Sequence, residues 1–438
     1  MKYYLDPFGC VKNQVDAETM MASLNSSGWE SADDAAAADL LIINSCGFIE
    51  SAKKESLNAV FSWRKMYPEK KILLAGCLAQ RYGGELSASL PEADAFFGNR
   101  DLSGIAAAAA LAMGNASDTY TTAALPHNAA GVRPLLSLPG SAYVKISEGC
   151  NNHCTFCSIP LIRGPLQSRP PEEVFDECIQ LLGRGIKELC IIGQDIASYN
   201  GAAGGLIALM ENLKKLPGHF WVRLLYIHPD HFPANLPDIC ASDPRFLPYF
   251  DLPFQHGSEK ILRAMNRRGT ADSYLRLIEN IRSRLPSAVI RSTFLLGFPG
   301  ETGDDFNDLL NFQKEAKLDW AGCFAYSREE DTAAFSLPGR VSKKLAAERK
   351  KIVEMAQVSI SEARMERFVG MNTEVLVEEQ FEPLTDGPEM LYLGRLFCQA
   401  PEVDGSAVIR SEKPLTPGAL LPCKITGRLG FDLEVALL

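Results

Sequence analysis

The sequence predicts an α/β protein in three parts: an N-terminal α/β domain, a parallel (β/α) barrel or part of one, and a small antiparallel β-barrel. Three observations predict it. Apolar strand-like runs alternate with helical stretches over the first third of the 438 residues. About six strand–helix units repeat after Ala142, which suits a TIM-type barrel. Past Met371 the pattern changes to short strands broken by Pro and Gly. The expected boundaries are residues 1–125, a linker at 126–141, the barrel at 142–370 and the last domain at 371–438. So long a chain exceeds one ordinary core.

In the first third, KYYLDPFGC, LLIINSC and KILLAGC read as strands, each ending on a cysteine. VDAETMMASLNSSG and ESAKKESLNAVFSWRKM read as the helices between them. The carboxyl ends of parallel strands gather at one edge, where ligands bind. Cys10, Cys46 and Cys77 can therefore converge although more than thirty residues separate them. Each alone suits a buried core thiol; three at matching strand ends suit ligation of an iron–sulfur cluster.

The Ala-rich stretch from Ile105 to Ala124 is weakly specified and leads into HNAAGVRPLLSLPGS, whose Pro and Gly read as a linker. Strands are then expected at AYVKI, ELCIIG, FWVRLLYI, YFDLPF, AVIRSTFLLGF and WAGCFAY. Helices are expected at Pro171 to Arg184, Leu206 to Leu216, Glu259 to Met265 and Gly303 to Ala316, with a charged helix at Ser342 to Arg367. The last domain offers TEVLVEEQ, MLYLGRLF, SAVIR, LLPCKITG and DLEVALL as strands of a small barrel.

Composition narrows the function. A net charge of −10 argues against a broad non-specific grip on nucleic acid and suits a basic partner. The start, MKYYLDPFGCVKN, has no apolar run before its first cysteine, and GIAAAAALAM is too short to span a bilayer. The expectation is a cytoplasmic protein without a membrane partner, in which the twelve cysteines are not paired as disulfides.

Cys150-Asn-Asn-His-Cys154-Thr-Phe-Cys157 carries the chemistry. Three thiolates at this spacing can bind three irons of a cubane and leave the fourth without a protein ligand. That open iron can chelate the amino and carboxylate groups of S-adenosylmethionine, whose one-electron cleavage yields a hydrogen-abstracting radical. A zinc site is the alternative, but it wants a fourth ligand, and His153 lies inside the loop between two of the thiols.

This loop resembles the radical S-adenosylmethionine signature, and the whole chain resembles the methylthiotransferases of that class. The resemblance implies an N-terminal methylthiotransferase domain, a radical barrel and an OB-like TRAM domain. It also implies two 4Fe–4S clusters, the second held by Cys10 in FGCVKNQVDAE, Cys46 in NSCGFIESAKKES and Cys77 in AGCLAQR. CVKNQVDAE, CGFIESAKKES, IPLIRGPLQSRP, QDIASYN, MNRRGT, AYSREEDTAAFSLPG and APEVDG resemble the RimO type, which modifies an aspartate of a small-subunit ribosomal protein. The tRNA-modifying MiaB type is expected to read GCQMN at the first cysteine. DPFGC and the ending GFDLEVALL depart from the family pattern without touching a cluster ligand.

The resemblance thus implies methylthio insertion at an aspartyl β-carbon, with a sulfur donor and an electron donor as further partners. Transfer to a tRNA adenosine, or a non-catalytic ribosome-binding role with structural clusters, are the alternatives. From Met371 onward acids outnumber bases by six, counting Glu382, Asp386 and Glu389, which suits a basic protein better than phosphates.

Other residues are expected around the cofactor. Gln194-Asp195 follows a strand, as does the loop of Gly297, Gly300 and Glu301; the family's S-adenosylmethionine lies at such places. Thr302 alternatively marks a plain helix cap. Arg163, Arg169 and Arg291 can fork onto a carboxylate or anchor loops. His256 suits a structural role better than a base. Cys178, Cys190, Cys240, Cys323, Cys398 and Cys423 lack cluster spacing and read as ordinary thiols.

Overall fold

The computed structural model describes residues 1–114, 120–121, 132–381 and 390–438. Strands β1 (Lys2–Pro7), β2 (Glu30–Ser31), β3 (Leu40–Ser45), β4 (Lys71–Gly76), β5 (Ala95–Phe97) and β6 (Tyr120–Thr121) form one parallel sheet in the order β2-β1-β3-β4-β5-β6. Every residue of β3 is buried, as expected of a central parallel strand with both faces covered.

Helices α1 (Val11–Ser26), α2 (Glu50–Met66), α3 (Cys77–Ser89) and α4 (Ile105–Met113) flank this sheet. The Ala-rich stretch therefore opens with a helix rather than a loose connection. Ile105, Ala108, Ala109 and Ala112 recur at helical spacing and are buried against the sheet, and alanine needs no side-chain ordering to be helical. The expected linker falls partly outside the described residues, at 126–131, as do Glu382, Asp386 and Glu389.

The second unit is an open barrel of six parallel strands, β7 (Ser141–Lys145), β10 (Glu188–Ile192), β11 (Trp221–Leu224), β12 (Phe246–Asp251), β13 (Val289–Leu296) and β14 (Trp320–Ala325). They lie side by side in that order. A short ribbon, β8 (Ser147–Glu148) and β9 (Gln167–Ser168), brackets the three-cysteine loop and α5 (Ile159–Arg163). Helices α6 (Pro171–Gly183), α7 (Gly205–Leu213), α8 (Leu236–Ser242), α9 (Glu259–Ala264), α10 (Ala271–Arg284), α11 (Gly303–Ala316) and α12 (Lys343–Glu366) cover the outside. The sequence reading missed α8 and α10. Thr270 and Ser273 form a reciprocal cap for α10, and Tyr274, Ile278 and Ile281 are its buried stripe.

The third unit is a closed five-stranded barrel of β15 (Asn372–Phe381), β16 (Met390–Arg395), β17 (Ala407–Ser411), β18 (Leu420–Leu429) and β19 (Asp432–Leu437), ordered β15-β16-β17-β19-β18. Its β16–β17 connection enters the parallel barrel near the start of the strands. Arg223 Nη1 donates to the carbonyl of Phe397 at 2.9 Å, Trp320 Nε1 to that of Cys398 at 2.7 Å, and the Tyr249 hydroxyl to Asp404 at 2.6 Å.

At this junction Glu188 is fully buried between Arg223 (2.7 Å), Arg395 and the Ser141 hydroxyl (2.6 Å). Desolvation opposes its ionisation, but the two guanidinium groups hold its pKa down at about 2 against an ordinary 4.5. A depressed carboxylate stabilises the fold fully above its unfolded value. The contribution is therefore lost as pH falls from about 4.5 towards 2. Glu188→Gln leaves buried cations without their anion and is expected to cost about 3–5 kcal/mol, read as a lower urea midpoint at pH 7.

Candidate metal-cluster site and reaction cavity

The three-cysteine loop begins at Gly149, whose φ of +69° belongs to the left-handed region. A Cβ there would lie 2.1 Å from the carbonyl oxygen of Pro165, so only glycine lets the chain turn back on itself at this point. The loop is then pinned from the barrel's upper loops. Thr155 donates through its amide to Met265 O (3.2 Å) and through its hydroxyl to Ala264 O (2.8 Å). Asn266 Nδ2 donates to His153 O at 2.8 Å, and the amide of Ala334 to Thr155 O at 2.8 Å. Phe156 packs against Ile261, Met265, Phe298 and Ala334. None of these ties uses a thiol.

Burial pushes the Cys157 thiol up to about 12, with Cys154 and Cys150 adding to the shift, and burial likewise raises Cys150. Neighbouring thiols raised in this way at Cys150 and Cys157 fit a cationic centre, which would take the thiolate form and displace the protons. Among the described residues no three His, Cys, Asp or Glu side chains converge on a single point as one metal ion demands. A cubane instead asks each cysteine for a separate iron.

Cys10, Cys46 and Cys77 follow the adjacent parallel strands β1, β3 and β4 and share one edge of the sheet. The loops are tightly nested: a Cβ on Gly9 would stand 3.2 Å from Cys46 Sγ, and one on Gly47 would stand 2.7 Å from Cys77 O. Asn13, which sequence reasoning did not single out, ties them together. Its Nδ2 donates to Phe8 O (2.6 Å), Asn44 O (3.2 Å) and Ser45 O (3.3 Å). Cys77 Sγ receives Asn99 Nδ2 and Arg163 Nη2, both at 3.2 Å. Burial pushes Cys77 up to about 12 although Arg163 opposes this. Desolvation works the same way on Cys10, but Lys12, Arg163 and nearby backbone amides outweigh it and its pKa is lowered.

The two cysteine groups meet across α5. Ser158, next to Cys157, donates to Phe48 O at 3.3 Å, two residues beyond Cys46. Arg163 ends the helix and holds Asp16 and Glu148 at 2.8 Å each while touching Cys77. Lys145 pairs with the same two carboxylates. This explains why α1 buries Asp16 and Glu18: that face packs on the barrel and meets Lys145, Arg163 and Arg133. Of the arginines read from sequence, Arg169 serves as an anchor, donating to Lys145 O and pairing with Glu177.

The expected cofactor residues divide into two groups. Gln194 lies beside the loop, donating to Glu148 at 3.1 Å, and among the described residues its Oε1 is buried without a donor, as is the Ser147 hydroxyl. Asp195 is occupied by protein: it accepts from Asn152 Nδ2 (2.9 Å), Ser198 (2.6 Å) and the amide of His228 (3.2 Å), with His231 Nδ1 at 3.0 Å. Glu301 is also occupied, accepting from the Gly297 amide (2.7 Å) and from Arg349 (2.6 Å). Gly297 packs so closely that a Cβ would meet Ala346 at 2.4 Å, and the Gly300 amide reaches Gly339 O at 2.7 Å. Arg291 lies early in β13, away from that loop, and faces Asp251 (3.2 Å) and Asp404 (3.4 Å). His256 is fully buried and accepts from the Ser258 amide at 2.9 Å, which is a structural setting.

Three features were not legible. Lys12 Nζ sits 3.0 Å above the ring centre of Tyr226, and Tyr226 has a φ of +66°. The third feature is the insertion of Leu396–Asp404 into the barrel. A lysine two residues after one of the three strand-end cysteines is the one signal that pointed towards the first.

Known proteins resemble the chain in this layout. Residues 2–98 match the family model described as Uncharacterized protein family UPF0004, residues 144–312 the Radical SAM superfamily, and residues 369–437 the TRAM domain. A protein named ribosomal protein uS12 methylthiotransferase RimO, from Treponema denticola, is 43% identical, covering 98% of this chain and 99% of its own. One of the same name from Moorella thermoacetica is 40% identical over 95% of each. Among solved structures, the radical S-adenosylmethionine methyltransferase TsrM from Kitasatospora setae aligns with a TM-score of 0.55 at 13% identity, covering 76% of this chain and 73% of that one, which shows a shared fold.

Proposed function

This chain belongs to the RimO family of radical S-adenosylmethionine methylthiotransferases, and we propose that it inserts a methylthio group at the β-carbon of an aspartyl residue of ribosomal protein uS12. The observation that carries the reading is the meeting of two three-cysteine groups across α5, six residues separating Cys157 from the arginine that touches Cys77.

In this reading Cys150, Cys154 and Cys157 hold one 4Fe–4S cluster and Cys10, Cys46 and Cys77 a second. Together these supply the electron that cleaves S-adenosylmethionine and a place for the sulfur to be donated. The protein's own residues do the rest. Gln194 Oε1 and the Ser147 hydroxyl, both buried and unpartnered among the described residues, would accept from the amino group of the methionyl moiety. Asp195 keeps Asn152, and so the cysteine loop, in place. Glu301 and Arg349 fix the turn of Gly297 and Gly300, which would border the adenosine. An electron donor and a sulfur donor complete the reaction in a reducing cytoplasm. Among the described residues no helix is long and apolar enough to cross a membrane.

The acidic balance of the last domain supports a basic protein substrate over tRNA, although some of its acids are spent internally. Glu378 pairs with Arg395, and Asp404 with Tyr249 and Arg291. The deciding experiment gives reconstituted enzyme uS12 and tRNA side by side. A mass gain of one methylthio group on a uS12 aspartate, with unmodified nucleosides, is the expected result; a methylthiolated adenosine with unchanged uS12 overturns the assignment.

A further inference from the structure

Lys12 is buried, with 8% of its surface exposed, yet among the described residues it has no carboxylate within ion-pair distance. Its neighbours differ. Lys145 and Arg163 each hold two carboxylates, Asp16 and Glu148, and Arg291 holds Asp251 and Asp404. The Lys12 ammonium rests instead on the face of Tyr226, 3.0 Å from its centroid. A cation–π contact offsets only part of the cost of taking an ammonium out of water.

Tyr226 is held for this purpose. It adopts a left-handed backbone, φ +66°, which is strained for a non-glycine residue and persists only where the surroundings enforce it. The enforcement is visible: the amide of Tyr226 donates to Asp251 Oδ2 at 3.1 Å, and its carbonyl accepts from the Ile196 amide at 3.1 Å. Strain at the carboxyl end of β11 thus presents a ring under a lysine that belongs to the other domain. Lys12 also lies two residues after Cys10, in the first turn of α1, the end of a helix that favours an anion.

We infer that Lys12, seated on Tyr226, is the subsite that binds the side-chain carboxylate of the substrate aspartate. This rests on the proposed protein substrate. An incoming carboxylate would supply the ion-paired carboxylate that Lys12 lacks and its neighbours have, and the β-carbon, one bond away, would be held beside Cys10. Specificity for aspartate then follows from charge: an amide or an uncharged base at this position leaves the ammonium unpaired.

The test uses holoenzyme reconstituted under anaerobic conditions and a labelled uS12 peptide spanning the modified aspartate, with affinity read by fluorescence anisotropy. Wild type is expected to bind the peptide about ten- to a hundredfold more tightly than its Asp→Asn version, the range for a hydrogen bond to a charged group. Lys12→Met is expected to lose that factor and treat both peptides alike, while Lys12→Arg keeps part of the preference. Equal binding of the two peptides by wild type overturns the inference without any variant. So does Lys12→Met that weakens both peptides equally, the mark of a purely structural lysine. If wild type neither binds the peptide nor modifies uS12 while tRNA is methylthiolated, the functional reading itself falls. If uS12 is modified but the preference does not depend on Lys12, the inference alone falls.

Discussion

Replacing Cys150, Cys154 and Cys157 together by alanine is expected to reduce the iron of reconstituted protein from about eight to about four per chain and to bring cleavage of S-adenosylmethionine down to background. The structure says why this should be a clean loss. The loop is held by the Gly149 turn, by Thr155 and Asn266, and by the packing of Phe156. The thiols can therefore be removed while the fold stays, and the unfolding free energy of the metal-free protein, read from urea titration, should change by less than about 1 kcal/mol. Iron and sulfide analysis with electron paramagnetic resonance reads the first effect, and release of 5′-deoxyadenosine the second. Four irons in wild type that vanish in the variant would mean that the N-terminal cysteines hold no cluster.

The complementary variant, Cys10, Cys46 and Cys77 to alanine, is expected to keep about four irons and to retain cleavage of S-adenosylmethionine while methylthio transfer to uS12 disappears. The two cysteine groups stand on separate elements, one after β8 and the other at the ends of β1, β3 and β4, so each can be emptied alone. Asn13 keeps its bonds to Phe8, Asn44 and Ser45, and the strand-end loops should survive. The Arg163 guanidinium loses Cys77 but retains Asp16 and Glu148. Methylthiolated uS12 from this variant would place the sulfur elsewhere and remove the reason for a second cluster.

Sequence pattern reached the architecture where burial dictates residue type. The central strands β3 and β4 are apolar runs because both faces are covered, and the five strands of the last barrel are marked by Pro and Gly between them. The cysteines at the ends of β1, β3 and β4 were legible for the same reason, since parallel strands share one carboxyl edge. What escaped depends on side chains that meet across domains. Nothing in QDIASYN or GFPGET reveals that Asp195 and Glu301 are taken up by Asn152 and Arg349, because those partners come from distant segments. Nor does local sequence show that Arg291 sits early in its strand facing Asp404, or that Lys12 finds Tyr226. Helix α10 was missed for a plainer reason: its stripe of Tyr274, Ile278 and Ile281 is thin against eight polar or charged neighbours.

The segment Leu396–Asp404 also bears on how such proteins can change. A terminal module joined by a tether can be traded for another without disturbing what precedes it. Here the parallel barrel completes its own interior with that segment, through Phe397, Cys398 and Asp404, and neutralises Glu188 with Arg395. Grafting a foreign C-terminal module would expose Trp320 and Tyr249 and strip Glu188 of one of its cations. The last barrel is therefore free to vary only by point changes on its outer strands and loop tips, with the inserted segment and its arginine carried along unchanged.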